Sequence, residues 1–391
     1  MPGIVVKPRA RIYHGHEWVY ASDIRKTFGD PKPGDVVTLK DFKDRPLGSG
    51  IYNPQSQIVV RRISRRAQTL DLDLFKRRLE RALEYRRALP LDQKVMRLVW
   101  SESDGLPGVI VDRYGDCLVL QTLTLGMDQR KDVLVEALQE TLSPTAIVER
   151  NDSPIRKAEG LEIVKGTLVG EAPKAFELPI EGLRYEVDLL EGQKTGLYLD
   201  QLANHQLVAR LAKGRVRVLD VFSHQGGFAL TCKQAGAAYV TGIEISEAAV
   251  EAAKANAKRN DLEIDFITAN AFNKLREFGK QEGTAYDLII LDPPSFTRNK
   301  GGLKDALRGY KEIHLRALRL LEPGGILATF SCSHHVGHDV FHDLISSAAV
   351  DAKRTLRRVT TYTQRADHPV MATIPETEYL RGVAYEVIAS F

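Results

Sequence analysis

The fold is decided by the stretch VRVLDVFSHQGGFALTCKQ, which spans residues 216–234. Its first six residues form a short apolar run that predicts a buried β-strand, and residues 227–234 predict a helix. Between them, Gly226 and Gly227 allow the loop backbone to approach a ligand closely at the start of the helix. A strand, a glycine-containing loop and a helix form the first unit of an α/β sheet.

Strands and helices continue to alternate on the C-terminal side of this stretch. The pattern predicts strands and helices in turn over residues 239–244, 247–259 and 264–268, near 275, and over 286–291. This order gives a mostly parallel sheet with helices on both faces, because each parallel crossover needs a helix. Two last strands, over 355–361 and 384–389, are expected to close the far edge of the sheet.

Length and composition set the wider frame. The chain has 391 residues, of which 43% are hydrophobic and 27% charged, so it can bury the cores of two or three domains. No apolar run approaches the ~18 residues of a membrane span. The first ten residues carry no apolar signal segment, and the three cysteines lie far apart, which argues against a disulfide framework. We therefore expect a cytoplasmic protein that does not associate with membranes.

Residues 1–70 predict a small β-rich domain, with strand-like runs at 4–6, 36–39 and 58–63. They contain 13 Lys plus Arg and 6 Asp plus Glu, a net charge of +7, against −3 for the rest of the chain. Such a basic module suits a phosphate-bearing partner. The densest cluster is formed by four arginines, which could instead only solvate the end of a strand: Arg61, Arg62, Arg65 and Arg66.

A middle α+β segment is expected over residues 71–182. It begins with an amphipathic helix at 72–89, because apolar residues recur there at helical spacing. Further elements are predicted as a hairpin over 109–112 and 117–123, a helix over 128–141, and strands over 146–150, 161–164 and 183–189. The segment carries no evident chemistry of its own, and the C-terminal domain is expected over 183–391.

The first two strands of the C-terminal domain end in candidate cofactor residues. The loop after Asp220 is not GxGxxG, which disfavours a dinucleotide. Glu244 lies 24 residues further on, where a carboxylate can bind ribose hydroxyls and would repel a 2′-phosphate. Together these features favour S-adenosylmethionine over NADP. Taken singly, the glycine pair could be only a tight turn and Glu244 only a helix cap.

The fourth and fifth strands of this domain end in a candidate reactive pair. Asp292 precedes Pro293 and Pro294, whose fixed backbone would hold the carboxylate and form a wall for a planar base. Cys332 follows the next strand, so both residues should face one pocket. A thiolate nucleophile suits methylation of carbon 5 of cytosine or uracil, which needs prior addition at carbon 6. On residue type alone, Cys332 could be a small core residue.

Two other cysteines and a histidine cluster are assigned no chemistry. Cys117 and Cys232 fall inside a predicted strand and a predicted helix and are interpreted as core residues. A metal site at Cys332 with the nearby histidines is disfavoured, because no second group of ligands appears elsewhere. The histidines concerned are His334, His335 and His338. No metal is expected.

Six motifs along the chain, in order, resemble those of the bacterial large-subunit ribosomal RNA methyltransferase I family. They are GQKTGLYLDQ (192–201), FSHQGGF (222–228), DPPSF (292–296) followed by Asn299 and Lys300, GYK (309–311), FSCS (330–333) and ADHPV (366–370). The resemblance covers nearly the whole chain. It implies an N-terminal PUA domain that binds RNA, a middle α+β domain and a C-terminal class I, Rossmann-like methyltransferase domain, with S-adenosylmethionine as cofactor.

The resemblance also implies functional residues. Cys332 would be the nucleophile and Asp292 its acidic partner in forming 5-methylcytosine in 23S ribosomal RNA. The cofactor would contact Gln193, Lys194, Thr195, Asp200, Asp220, Phe222, Ser223, Gly226, Gly227, Glu244, Ile245, Asn270, Ala271, Phe272, Asp292 and Pro293. RNA would contact Lys7, Arg9, Arg61, Arg62, Arg65 and Arg66. A homodimer is also compatible with the sequence.

Four residues depart from the family's usual pattern. His224 and Gln225 replace the more common Tyr-Thr pair, Asn270 stands where an acidic residue often binds adenine, and His334 replaces a frequent glycine. An amide oxygen at Asn270 could still accept a hydrogen bond. The base that removes the carbon 5 proton is not identified by sequence.

Two rival functions are compatible with the same residues. One is methylation of an exocyclic base amine, which needs no thiol but usually places an aromatic residue directly after the two prolines, where Ser295 stands. The other is an RNA-binding ribosome assembly factor with an inactive methyltransferase-like domain, because a fold does not guarantee activity. Identification of the methylated base and a cofactor-binding assay would separate the three functions.

Overall fold

A computed structural model describes residues 2–192, 195–281, 283, 285–296, 300–333 and 335–389. The chain divides into two compact units. The N-terminal unit comprises Met1–Leu178, Glu186–Leu199 and Ala366–Thr377. The C-terminal unit comprises Pro179–Tyr185, Asp200–Arg365 and Glu378–Phe391. The domain boundaries predicted at residues 70 and 182 stay predictions.

The N-terminal unit begins with a six-stranded sheet in the order β2-β6-β5-β4-β1-β3. Its strands are β1 (Gly3–Val6), β2 (Trp18–Val19), β3 (Ile24–Phe28), β4 (Val36–Lys40), β5 (Pro46–Tyr52) and β6 (Val60–Ser64). The strands are short, and their apolar side chains meet in one core that includes Ile4, Val37 and Val60. The expected β-rich character of residues 1–70 is therefore present.

A second sheet in the same unit has the order β11-β10-β9-β8-β7. Its elements are α1 (Leu72–Arg87), β7 (Val95–Trp100), β8 (Val109–Tyr114), β9 (Cys117–Thr122), α2 (Leu125–Asp128), α3 (Lys131–Leu142), β10 (Ala146–Asn151), α4 (Ile155–Ala158) and β11 (Val164–Gly170). Helix α1 starts where Asp71 caps it, accepting a hydrogen bond from the amide of Leu74. Phe75 and Leu79 of α1 pack into the core of this sheet.

In the middle segment one prediction was wrong in detail and one strand was missed. The strand expected at 161–164 is β11, which begins only at Val164, because residues 161–163 follow directly on the turn after α4. Strand β7 was not predicted, since its six residues alternate little between apolar and polar. A separate pair of strands, β12 (Phe176–Ile180) and β13 (Leu183–Val187), follows.

The C-terminal unit is built on a seven-stranded sheet in the order β16-β15-β14-β17-β18-β20-β19. Its elements are α5 (Leu202–Ala212), β14 (Arg217–Val221), α6 (Gly227–Gln234), β15 (Tyr239–Glu244), α7 (Glu247–Arg259), β16 (Asp265–Thr268), α8 (Ala271–Phe278), β17 (Tyr286–Leu291), α9 (Leu303–Arg319), β18 (Leu321–Ser331), α10 (His338–Ala352), β19 (Thr355–Thr363) and β20 (Arg381–Ile388). The predicted α/β fold class is confirmed.

The sheet is parallel from β16 to β18, and β20 is antiparallel to both of its neighbours. Strand order reverses at β14, whose neighbours are β15 on one side and β17 on the other. In open α/β sheets the ligand crevice lies outside the carboxyl ends of the strands at such a reversal. Among the described residues, no helix is both long and apolar enough to cross a membrane.

Candidate active site

The site is assembled at the carboxyl ends of four adjacent strands. Register pairs Val221 of β14 with Leu291 of β17, and Leu291 with Thr329 of β18. The loops that follow these strands therefore emerge side by side. The same edge carries the end of β15 at Glu244, whose neighbour in the sheet is β14.

The loop after β14 has an unusual backbone. Phe222 and His224 adopt positive φ angles of 67° and 49°, and Gly226, which caps α6, has a φ of 85°. Side chains other than glycine seldom adopt this conformation. Gly227 is required for space, because a Cβ atom there would lie 2.4 Å from Cε1 of His205. The predicted glycine-dependent loop at the helix start is present.

Asp220 lies under this loop and is fully buried. Its Oδ2 accepts a hydrogen bond of 3.0 Å from the amide of Ala229 in α6. Burial raises the pKa of the Asp220 carboxyl to about 8, the Ala229 amide opposes this rise, and negative charge on Asp292 and Glu244 adds to it. The carboxyl group is thus predominantly protonated at neutral pH in the folded chain.

Three buried polar atoms around the loop favour a polar ligand. Within the described residues, Asp220 Oδ1, Ser223 Oγ and Gln225 Oε1 are buried and have no hydrogen-bond partner. Buried polar atoms are normally paired, so such a group of atoms at a strand end needs an explanation. The ribose hydroxyls and amino-acid end of S-adenosylmethionine supply donors and acceptors of the required kind, and the residues present fit this cofactor.

Glu244 organises the neighbouring turn. Its Oε1 accepts hydrogen bonds of 2.8 and 3.0 Å from the amides of Ile245 and Ser246, and Oε2 accepts one of 3.1 Å from the amide of His224. The carboxylate therefore joins the loop after β15 to the loop after β14. Ile245 beside it is 66% exposed, so its apolar side chain is available to a ligand.

The third cofactor segment follows β16. Asn270 caps α8, with Oδ1 accepting a hydrogen bond of 3.2 Å from the amide of Asn273. The side-chain oxygen that was expected to bind adenine thus has an intrachain partner. Ala271 is buried, and Phe272 is half-buried. The predicted contacts of these residues with adenine stay predictions.

Aromatic rings gather behind the DPPSF motif. The ring of Phe296 lies 4.5 Å from that of Tyr310, 6.0 Å from Phe272 and 6.4 Å from Phe222, measured between centroids. Pro293, which precedes Phe296 in the motif, is buried. Aromatic rings at these distances stabilise one another and provide flat apolar walls.

Asp292 is oriented by a chain of amides. Nε2 of Gln201 donates a hydrogen bond of 3.0 Å to Oδ2 of Asp292, and Nδ2 of Asn204 donates one of 2.7 Å to Oε1 of Gln201. Asn204 also donates to the carbonyl of Thr363 at 3.0 Å. The carboxylate is therefore fixed by the N-terminal end of helix α5, where Gln201 is the N-cap residue and Asn204 lies in the first turn.

Cys332 is half-buried and directly follows β18. Negative charge on Cys332 raises the pKa values of two titratable groups, the Tyr310 hydroxyl and the Arg381 guanidinium. Burial raises the pKa of the Tyr310 hydroxyl, a hydrogen bond with Ser331 opposes this, and negative charge on Cys332 and Asp292 raises it further. The pKa of Tyr310 thus depends on the charge of both members of the predicted reactive pair.

Other predicted cofactor residues have structural partners. Asp200 accepts a hydrogen bond of 2.7 Å from the hydroxyl of Tyr379. In the N-terminal unit, Thr195 is buried and donates one of 2.6 Å to Asp112, which Arg97 holds with two bonds of 2.8 Å. Gln193, Lys194, Asn299 and His334 lie outside the described residues.

The predicted RNA-binding arginines separate into two groups. Arg61 is paired with Glu102 and Arg62 with Glu17, and both side chains are largely buried. Arg65 has a side chain that is 69% exposed. The remaining exposed members of the set are Lys7, Arg9 and Arg66. An RNA contact by any of the six stays a prediction.

Sequence reasoning missed three residues of this site. Gln201 and Asn204 are three residues apart at the start of a helix, a spacing that places two amides on one face and that could have been noticed. Arg381 carries no local signal, because only strand pairing across the sheet places it opposite Ser331.

Comparison with known proteins agrees with this geometry. A family model for S-adenosylmethionine-dependent methyltransferases matches residues 161–369, and one for PUA-like domains matches residues 4–65. A methyltransferase crystal structure solved with S-adenosylhomocysteine is similar to the chain with a TM-score of 0.84 at 22% identity, covering 99% of this chain and all of that one. The fold and the site define an S-adenosylmethionine-dependent methyltransferase with a PUA-like domain.

Curated relatives extend the comparison over nearly the full chain. The ribosomal RNA large subunit methyltransferase I of Erwinia tasmaniensis is 40% identical, covering 98% of this chain and 99% of the relative. That of Shewanella denitrificans is 41% identical, with 95% of each chain covered. That of Escherichia coli O139:H28 is 38% identical, covering 95% and 96%. The chain belongs to the ribosomal RNA large subunit methyltransferase I family.

Proposed function

We propose that the chain methylates carbon 5 of a cytosine in 23S ribosomal RNA through a covalent adduct at Cys332. The observation that carries the proposal is the position of Asp292 and Cys332 directly after the adjacent parallel strands β17 and β18. A half-buried sulfur and a carboxylate held by Gln201, each directly after one of two adjacent strands, suit covalent catalysis. Methylation of an exocyclic amine would need no such thiol.

The residues divide the work as follows. Cys332 adds through its sulfur to carbon 6 of the cytosine, while Asp292 hydrogen-bonds the base and favours protonation at its ring nitrogen. This addition makes carbon 5 nucleophilic. The bound cofactor supplies an electrophilic methyl group. After carbon 5 loses its proton, the bond from carbon 6 to sulfur breaks, and Cys332 leaves as a thiolate.

The site fixes the geometry that this sequence of steps needs. Gln201 and Asn204 hold Asp292 in one orientation, so little freedom is lost when the base binds. Glu244 would bind ribose hydroxyls of the cofactor, and Ser223 and Gln225 would bind its polar groups. Phe296 offers a flat apolar wall for a base that has left its stack.

The proposed substrate is large-subunit ribosomal RNA, as the names of the relatives suggest. The PUA-like domain would bind the RNA, with exposed basic residues such as Arg65 and Arg66 at phosphates. We further propose the division into domains at residues 1–70, 71–182 and 183–391, and action in the cytoplasm, where ribosomal RNA is made available.

The direct test is methylation of unmodified 23S ribosomal RNA with labelled S-adenosylmethionine, followed by mass spectrometry of the nucleosides. We expect 5-methylcytidine. We also expect Cys332→Ala to lower the rate by several orders of magnitude while cofactor binding persists. Cys117→Ala, at a buried cysteine of the N-terminal unit, is the matched control and should retain activity.

Three results would contradict the proposal. An N-methylated base would replace the covalent mechanism with direct amine methylation. Full activity of Cys332→Ala would remove the thiol from the mechanism. Failure to bind S-adenosylmethionine in calorimetry would leave an RNA-binding assembly factor without methyltransferase activity.

A further inference from the structure

Arg381 lies beneath the segment that carries Cys332. It begins β20 and pairs in register with Ser331, the last residue of β18. Its Nη1 donates hydrogen bonds of 2.9 Å to the carbonyl of Ser333 and 2.6 Å to that of Val336. The guanidinium group therefore spans the turn that follows Cys332 and holds its backbone in place.

The guanidinium group is buried, although it carries a charge. Arg381 is 7% exposed, and among the described residues its Nε has no hydrogen-bond acceptor. A buried cation is costly unless negative charge lies near it. The two carbonyl oxygens contact Nη1 and leave the N–H group of Nε without an acceptor in the described part of the chain. These two hydrogen bonds alone therefore do not compensate for the burial of the charged group.

The charges around Arg381 point to the sulfur. Burial lowers the pKa of Arg381, whereas negative charge on Glu378, Cys332 and Tyr310 raises it. Electrostatic interaction is mutual, so the same guanidinium stabilises a thiolate at Cys332. Tyr310 stays neutral near pH 7, because burial raises the pKa of its hydroxyl above the ordinary value.

The titratable groups near this sulfur come from several elements. Tyr310 comes from α9 and Arg381 from β20, while Asp292 follows β17 and acts on the Tyr310 hydroxyl. Glu378 precedes β20 and lies 3.6 Å from Nε2 of His338, at the start of α10. Glu378 and Asp292 are acidic residues, whose negative charge would oppose a thiolate, whereas the positive charge of Arg381 favours it.

We propose that Arg381 is a positioning residue that stabilises Cys332 as a thiolate before RNA binds. In this arrangement the thiol proton passes to solvent, and the guanidinium stays protonated throughout. The proposal deepens the covalent mechanism proposed above and rests on it for its biological meaning. The ionisation of the sulfur, however, can be measured without RNA, cofactor or turnover.

The test is the pH dependence of alkylation of Cys332 by iodoacetamide in the full chain. The thiolate sulfur attacks the methylene carbon and iodide leaves, so the rate follows the thiolate fraction. Peptide mass spectrometry resolves Cys332 from Cys117 and Cys232, which are both buried. In the natural chain we expect the midpoint of the pH profile to lie below that of the same cysteine in urea.

Three variants separate charge from structure. Arg381→Gln should raise the midpoint by about one pH unit, which lowers alkylation about ten-fold at pH values below it. Arg381→Lys keeps the charge and should retain most of the effect. Arg354→Gln is the matched control, because Arg354 also donates to a backbone carbonyl, that of Leu318, near the opposite end of β18.

Two results would overturn the proposal. One is an unchanged midpoint in an Arg381→Gln variant that still binds S-adenosylmethionine. The other, which applies even if that variant does not fold, is a natural chain whose midpoint is no lower than in urea. Neither depends on the methylated product: an N-methylated base would remove the covalent mechanism and leave the alkylation profile of Cys332 as it is.

Discussion

Gln201 donates a side-chain hydrogen bond of 3.0 Å to the carboxylate of Asp292 and is itself held by Asn204. This relationship ties the N-terminal end of α5 to the residue that follows β17. It explains how a carboxylate that is followed by two prolines, which have no backbone N–H to donate, keeps one orientation. The amide pair therefore belongs to the site as much as Asp292 does.

Replacing Gln201 tests this relationship. Gln201→Leu removes one hydrogen bond to a charged group, an interaction of about 1.5–3 kcal/mol, so kcat/KM for RNA methylation should fall about ten- to hundred-fold. Cofactor affinity should change much less. The control is Gln234→Leu, since Gln234, within the part of the chain that the structure describes, donates only to the carbonyl of Gly182 at the surface. Equal kcat/KM values for the two variants would show that Gln201 does not position Asp292 for the reaction.

The tight loop after β14 gives a second prediction. Gly227→Ala places a methyl group against the His205 ring, which should cost about 1–3 kcal/mol of stability and weaken S-adenosylmethionine binding. Gly337→Ala is the control, because a Cβ there meets no atom of the described residues within 4 Å. Thermal unfolding and calorimetric titration measure the two effects. Normal cofactor binding by Gly227→Ala would mean that the loop adapts.

Asp220 predicts a dependence of stability on pH. Its pKa is about 8 in the folded chain and near 3.8 when unfolded. Between these values the unfolded chain gives up this proton and the folded chain keeps it, so the group's contribution to stability falls as pH rises from about 4 to 8. Below pH 4 the two states bind the proton equally, and above pH 8 the loss is complete.

Asp220→Asn should remove this dependence. Its melting temperature should exceed that of the natural chain by a few degrees at pH 8, and the difference should shrink toward pH 4. Asp265→Asn, at an exposed carboxylate on β16, controls for the change in net charge. A difference in melting temperature that stays constant with pH would show that Asp220 is not the titrating group.

The basic residues of the N-terminal unit give contrasting expectations. Arg65→Gln should reduce the salt dependence of RNA binding by about one in the log–log slope, with little change in stability, because its side chain is exposed. Arg62→Gln should instead destabilise the fold by about 1–3 kcal/mol, because it leaves Glu17 without its buried partner. Filter binding and thermal unfolding distinguish the two. If Arg62→Gln weakened RNA binding and Arg65→Gln did not, Arg65 would not lie on the RNA-binding face.

Local patterns were sufficient for much of the fold. The strand and helix that surround the loop at Gly226 follow from an apolar run and helical spacing, and the distance from Asp220 to Glu244 follows from one strand–helix–strand unit. The pairing between strands that are distant in the sequence could not be predicted from local patterns. For that reason Arg381 was missed: a strand was expected over 384–389, but β20 begins at Arg381 and pairs there with the end of β18.

The arginines near residue 62 illustrate the same limit on the surface. Charge counting finds a basic cluster, but it does not distinguish Arg62, which forms an ion pair with Glu17 inside the sheet, from Arg65, which faces solvent. Burial is a property of the folded sheet rather than of the local sequence. Likewise, Asn270 has the residue type to bind adenine, yet its oxygen caps a helix.

The covalent step is tested most directly by trapping. RNA that carries 5-fluorocytidine at the target position can accept the sulfur and the methyl group, but fluorine cannot leave as a proton does, so the adduct persists. Incubation with S-adenosylmethionine, followed by peptide mass spectrometry, should find the methylated nucleotide attached to the peptide that contains Cys332. Turnover of unmodified RNA to 5-methylcytidine, with no adduct trapped at Cys332 from the fluorinated RNA, would contradict the mechanism.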